Sequence, residues 1–265
     1  MLNARKLTKT FGGLNAVSDL TFDLDDGEIL GLIGPNGAGK TTVFNLLTGV
    51  LKATYGTVFL DNENITNRAP HQITRKGIMR TFQNLRLMKG MSVTENLKPV
   101  FHMDERYSYF DSLFQTSRYR SVECEIVERI HDILALLQIG KYADVIVDDL
   151  AYGVQKKLEL ARALLYAPKI LLLDEPAAGL NPIETDEIME IIRMIHARSE
   201  IGIIVVEHNM KVVMGISHRI IVMNQGCLIA QGAPYEIQNN EKVIKAYLGE
   251  KIWKKQAAAL ERQGV

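Results

Sequence analysis

Residues Gly34-Pro35-Asn36-Gly37-Ala38-Gly39-Lys40-Thr41-Thr42 follow directly on the apolar run Ile29-Leu30-Gly31-Leu32-Ile33. A short buried strand, a tight glycine-rich turn and a helix start are needed in that order to make a phosphate-binding loop, and this stretch supplies all three. The glycines let the backbone curl, so that its N–H groups and the N-terminus of the next helix point at phosphate oxygens. Lys40 would reach the β- and γ-phosphates, and the Thr41 hydroxyl would hold Mg²⁺. A chance glycine turn would not need the flanking strand and helix. By itself the loop says only that a nucleoside triphosphate binds.

Strand and helix signals spread outward from that point. Leu20-Thr21-Phe22-Asp23-Leu24 alternates apolar and polar, so residues 2–25 read as antiparallel strands with a turn near Gly12-Gly13. A helix is expected from Lys40 to Leu47, stopping at Gly49, and a strand at Thr57-Val58-Phe59-Leu60. From about residue 85 to 165 the strand signals give way to helical spacing, with Ile126, Ile130, Ile133, Leu134 and Leu137 on one face. Ile170–Leu173 and Ile203–Val206 are uniformly apolar, as in the middle of a parallel sheet. A helix over about 184–197 separates them. Ile220–Met223 and Cys227–Ala230 flank Asn224-Gln225-Gly226 as a hairpin, and the remainder reads as helical. The fold class is therefore α/β: a phosphate-loop NTPase core, an N-terminal antiparallel β-subdomain and an inserted α-helical subdomain. One domain is expected over residues 1–250, with a helical tail over 251–265.

Composition removes several alternatives. The formal net charge of zero gives no basic field for nucleic acid. Aromatic and arginine residues do alternate between Phe101 and Arg120, where bases could stack, but an extra helical element is the simpler reading. Cys124 and Cys227 lie too far apart in sequence to suggest a metal site and read as small apolar residues in a reducing compartment. Met1 to Lys9 does not read as a signal peptide, and no run nears the roughly 18 apolar residues of a membrane span. Any work at a membrane is expected to go through a partner. Trp253 among lysines in the tail could touch headgroups; a solvated helix is preferred.

Two carboxylates close the third apolar strand. Leu171-Leu172-Leu173-Asp174-Glu175 places them where parallel sheets bind ligands. Asp174 is placed to hold Mg²⁺ through water, while Glu175 would point elsewhere and polarise a water for attack on the γ-phosphate. Shortly before this strand comes Leu150-Ala151-Tyr152-Gly153-Val154-Gln155, opening a helical pattern.

At this point the chain strongly resembles the ATP-binding subunit of ABC transporters, whose signature LSGGQ opens a helix in the same way. The resemblance spans nearly the whole chain and assigns further residues. Gln83 in Arg80-Thr81-Phe82-Gln83-Asn84 matches the family's glutamine, which would complete the Mg²⁺ shell and link the site to the helical block. His208 in Val205-Val206-Glu207-His208 matches its switch histidine. Phe11 matches an aromatic that stacks on adenine, with Val17 near the same base. Taken singly, Phe11 reads as a core aromatic, Gln83 as a surface amide and His208 as a capping histidine; only the ordered set favours function. His71, His102, His131, His196 and His218 are assigned no role. Family resemblance further implies two ATP molecules held between two subunits, Ala151, Tyr152, Gly153, Val154 and Gln155 of one facing the phosphate loop of the other.

The string departs from the family at three places. Ala151 and Tyr152 stand where serine and glycine are usual, which removes a hydroxyl bond to phosphate of about 1.5–3 kcal/mol and leaves backbone donors and the helix N-terminus. Asn181 stands where aspartate is frequent, which would alter cross-talk between subunits. LAYGxQ, TFQN, DEPAAGLNP, residues 11–17, Glu207-His208-Asn209-Met210 and an enlarged region between Glu95 and Val122 resemble the ATPase of branched-chain amino acid importers. Urea or short-amide importers are close alternatives, and a soluble ABC ATPase or a non-enzymatic binding module are more distant ones. The implied cofactors are ATP and Mg²⁺. The implied partners are a second ATPase subunit, identical or different, transmembrane permease subunits and, indirectly, a periplasmic or extracellular solute-binding protein. The implied location is the cytoplasmic face of the plasma membrane.

Overall fold

A strand with no polar side chain has to be covered on both faces, and Ile29–Ile33 is: all five residues are buried. The computed structural model describes residues 1–81, 85–104 and 116–248. In chain order the elements are β1 (Leu2–Phe11), β2 (Leu14–Leu24), β3 (Ile29–Ile33), α1 (Lys40–Leu47), β4 (Tyr55–Leu60), β5 (Glu63–Asn64), α2 (Pro70–Arg75), β6 (Ile78–Arg80), α3 (Val93–Leu97), α4 (Ser117–Leu136), α5 (Tyr152–Leu165), β7 (Ile170–Asp174), α6 (Pro182–Arg198), β8 (Gly202–Val206), α7 (Met210–Ile216), β9 (Arg219–Asn224), β10 (Cys227–Gly232), α8 (Pro234–Gln238) and α9 (Glu241–Leu248). Gln83, residues 105–115 of the aromatic-rich stretch and the tail after 248 lie outside the described residues.

Among the described residues the strands form two sheets. One is antiparallel, in the order β2-β1-β4-β5. The other runs β10-β9-β3-β8-β7-β6, parallel from β9 to β6, with β10 antiparallel at its edge. Alternation along the strands decides what covers each face. Leu171, Leu173, Ile203 and Val205 join the apolar cluster built with α3, α4 and α5. Ile170, Leu172, Ile204 and Val206 join the opposite cluster, with α1 and the antiparallel sheet. Each side chain buried in this way contributes about 1.5–3 kcal/mol. On α4, Ile126, Ile130 and Leu134 are buried as the spacing predicts, with Leu137 just beyond the helix end. Ile133 lies at the margin of that face, partly buried.

Two elements, α2 and β6, lie where the sequence carries no periodic signal. The cysteines, read as small apolar residues, are both exposed free thiols. No helix among the described residues is long and apolar enough to cross a membrane.

Register brings the strand ends level. Asp174 pairs with Val206, and Leu32 with the same residue from the other side. Residues that follow β3, β7 and β8 therefore leave the sheet along one edge, the carboxyl edge where ligands of parallel sheets bind. At the opposite end, Arg219 fixes the chain entering β3. Its Nε lies 2.8 Å from Glu28 Oε1, its terminal nitrogen 3.0 Å from Glu28 Oε2 and 3.1 Å from Asp23 Oδ2. Two histidines left without a role are structural there: His218 Nδ1 accepts from Ile29 N (2.9 Å), and His196 Nε2 contacts Gly27 O (2.6 Å).

Burial pushes the Glu28 carboxyl up, but the Arg219 guanidinium and the Asp25 N–H outweigh it and hold Glu28 below its ordinary value. A depressed carboxylate stabilises the fold above its unfolded-state pKa, and that contribution is lost as pH falls through the folded value. Glu28→Gln should therefore lower the melting temperature by a few degrees at neutral pH. The deficit should vanish in acid below the usual carboxylate range, as thermal melts across pH will show.

Candidate functional site

The loop after β3 is shaped by two close backbone contacts. A Cβ on Gly34 would lie 2.1 Å from the Met223 carbonyl oxygen, and one on Gly39 would lie 2.4 Å from that of Ala16. No residue but glycine fits either place. Gly39, left-handed at φ 104°, caps α1 without a side-chain bond, so the first N–H groups of that helix face the loop. Lys40 bends back over the turn: Nζ donates to Gly34 O at 2.7 Å and to Pro35 O at 3.2 Å. Burial pulls its pKa down, and the charges of Glu175 and Asp174 pull it back up. Ala38 is buried under the loop, while Asn36, Gly37 and Thr41 are exposed and Pro35 and Thr42 half-buried.

Asp174 ends β7 as a buried carboxylate and needs a countercharge. Arg80, at the end of β6, provides it: its terminal nitrogen is 2.5 Å from Asp174 Oδ2. The same guanidinium donates to Asn45 Oδ1 on α1 (2.7 Å) and lies 5.3 Å from the centre of the Phe44 ring. Sequence reasoning passed over Arg80, whose partner lies 94 positions further along the chain. Glu175 takes a left-handed conformation (φ 50°), and its N–H donates to Val206 O at 2.8 Å. This turn brings its Oε1 to 3.0 Å from Nε2 of His208, which stands at the exit of β8. Two residues separated in sequence are thus joined, on the same sheet edge as Lys40. Glu207, also unremarked in the sequence, is buried between them and accepts only backbone N–H groups among the described residues. Burial raises its pKa, the Glu175 charge adding to the effect.

The 151–155 segment divides in two. Ala151 caps α5 without a side-chain bond, leaving the helix N-terminus open. Tyr152 is partly exposed and rests on Gly179, where a Cβ would come within 3.0 Å of its ring; on Gly153 a Cβ would lie 2.7 Å from Glu184 Oε1. Gln155 is different from expectation. Its amide donates to Val147 O (2.9 Å) and Leu150 O (3.1 Å), tying down the turn that leads into α5. Val154 packs on the helical cluster. A helix start spreads successive side chains around its axis, so these two turn inward. Asn181 is a helix cap: Oδ1 accepts from Ile183 N (2.9 Å) and Glu184 N (3.0 Å), and Glu184 returns a bond to Asn181 N. Phe11 is 46% exposed at the end of β1, with the Lys9 ammonium 4.9 Å from its ring centre. Val17 is fully buried beneath Gly39, so its side chain supports the loop from below instead of meeting a base.

Comparison with known proteins agrees with this geometry. The family model described as ABC transporter matches residues 17–178, the loop, both acids and the 150–155 segment included. The chain belongs to the ABC transporter family. A second model, for the branched-chain amino acid ATP-binding cassette transporter, matches residues 227–251 of this ABC cassette. Among curated proteins it is 44% identical to the high-affinity branched-chain amino acid transport ATP-binding protein BraF of Pseudomonas aeruginosa, over 94% of this chain and 98% of that one. With LivG of Escherichia coli, of the same description, identity is 45% over the same shares. The crystal structure of MJ1267, an ATP-binding cassette of an ABC transporter in its ADP conformation, matches with a TM-score of 0.82 and 32% identity, covering 94% of this chain and 98% of that one. This cassette is therefore a nucleotide-binding ATPase of the family.

Removing Arg80 leaves a buried anion without its cation. Arg80→Ala should cost about 3–5 kcal/mol in denaturant unfolding. Adding Asp174→Asn to that variant should recover a large part, since the pair is coupled.

Proposed function

We propose that this cassette hydrolyses ATP to power import of branched-chain amino acids through membrane partners. The observation that carries the reading is the 3.0 Å contact of Glu175 with His208 on the sheet edge that also bears Lys40. The donor set fits a magnesium nucleotide: a curled loop closed by two glycines, a buried lysine and an acid at the end of β7, two strands along the same sheet edge. Thr41 and Asp174 would hold Mg²⁺, together with Gln83. Residues 34–42 would hold the phosphates and Phe11 the adenine. When bound, the metal ion neutralises charge on the phosphates.

The remaining chemistry belongs to side chains of this chain. Lys40 leaves the carbonyls of Gly34 and Pro35 for phosphate oxygens, exchanging neutral acceptors for charged ones. Glu175 accepts the proton of an attacking water as general base. His208, through the imidazole now on Glu175, steadies the γ-phosphate as charge develops. The α5 N-terminus at Ala151, Tyr152 and Gly153 has backbone donors to offer an anion but serves a second cassette, identical or different, so the functional unit is a dimer. Its helical block would grip permease subunits at the cytoplasmic face of the membrane, with a solute-binding protein on the far side. Closure on ATP moves the membrane subunits, and hydrolysis resets them.

The solute is supported by the 44–46% identity to transport proteins of that description, against 34% to the lipopolysaccharide export ATP-binding protein LptB of Escherichia coli. Glu175→Gln should lower turnover by about 10²–10⁴-fold while ATP binding persists; normal phosphate release from that variant would refute the role. Lys40→Ala should lose ATP affinity itself, measured by calorimetry. Reconstitution with its permease and uptake of labelled leucine against urea would decide the solute.

A further inference from the structure

Glu207 is 3% exposed, and a carboxylate so placed is costly unless hydrogen bonds satisfy it. Its described partners are three main-chain N–H groups. Oε1 accepts from Ala177 N at 2.7 Å, and Oε2 accepts from His208 N at 3.1 Å and Asn209 N at 3.3 Å. One oxygen thus holds the turn that follows Glu175, and the other holds the turn that carries His208. Both sides are stiff. Between Glu175 and Leu180 the chain makes Ala178 N to Glu175 O and Leu180 N to Ala177 O bonds, of 3.1 and 3.2 Å. On the other side Asn209 caps α7 through Lys211 N at 3.0 Å.

We propose that Glu207 is a positioning residue that sets the distance between Glu175 and His208. The Glu175 N to Val206 O bond joins the bases of the two turns, and beyond it the shared carboxylate fastens the segments that hold the two side chains at 3.0 Å. A single hydrogen bond would fix one turn and leave the other to drift; two oxygens on a planar group fix both. The link also reaches the surface. Ala177 lies two residues before Gly179, against which Tyr152 rests. A shift of Tyr152, in the segment offered to a second cassette, moves the 175–180 turn and so pulls on Glu207 and His208. The inference rests on the ATPase reading and adds to it a route by which dimer contact sharpens the pair.

Two substitutions of the full-length chain test it. Glu207→Gln keeps the size but sets an amide N–H against a backbone N–H. Glu207→Asp keeps the charge but is one methylene too short to bridge both turns. Each should lower kcat for ATP by about tenfold or more, while KM and affinity for a non-hydrolysable ATP analogue stay at wild-type values; the melting temperature falls, since buried N–H groups lose their acceptor. Unchanged kcat in both variants overturns the proposal. So does a fall in kcat accompanied by an equal loss of affinity for the analogue, which marks a structural role. Absence of turnover in the wild-type chain would instead overturn the ATPase reading beneath it.

Discussion

The phosphate loop exists because two peptide carbonyls press against it. Met223 O beneath Gly34 belongs to β9 of the parallel sheet, and Ala16 O beside Gly39 belongs to β2 of the antiparallel one. The loop is the wedge where the two sheets meet. The β9–β10 turn seals it, since Gly226 N donates to Ala38 O (3.0 Å) and Ser18 N donates to Gly226 O (2.8 Å). Glycine is demanded there by contact distance as well as by curvature, so the two halves of the fold cannot be assembled independently of the loop. Val17, fully buried below Gly39, belongs to this wedge.

Along the same edge three carboxylates are held by three different means, and the means fit what each would do. Asp174, at the end of β7, has a guanidinium that is itself held by Asn45 of α1. Such an acid keeps its geometry, which suits holding a cation. Glu175 has an imidazole and partial exposure, which suits exchanging a proton with water. Glu207 has only peptide N–H groups among the described residues and is sealed from solvent, which suits neither task but does suit bracing. Clusters of titratable groups with contrasting surroundings are characteristic of working sites.

Much of this was legible in the chain. Strand β3, the loop and α1 announce themselves because apolar run, glycines and helix start are consecutive. The buried face of α4 and the β9–β10 hairpin follow from local periodicity and one turn. What stayed hidden depends on partners far away in sequence. Arg80 meets Asp174 across 94 positions, and Glu207 meets Ala177 across 30; no local pattern reports either. Gln155 looked like part of a recognition string, but its helical position turns it toward Val147 and Leu150. Asn181 was a different kind of miss. Asn-Pro-Ile-Glu is a capping box with proline at the first helical position, readable by rule, and a comparison with aspartate drew attention away from it.

Replacement of serine and glycine by Ala151 and Tyr152 changes more than one hydrogen bond. An α5 without a side-chain cap keeps its N-terminal donors for an outside anion. Meanwhile the Tyr152 ring fills the space above Gly179, and the Lys156 ammonium lies 5.7 Å from its centre. Gly153 meets Glu184, which caps α6 together with Asn181. In this chain the 151–153 segment and the 175–184 turn are therefore one packed unit. A shift of this segment bears directly on Gly179 and Glu184, in the turn and the helix start that follow Glu175. A smaller residue at 152 would remove the ring from Gly179 and leave Gly153 against Glu184 as the remaining contact between the two segments.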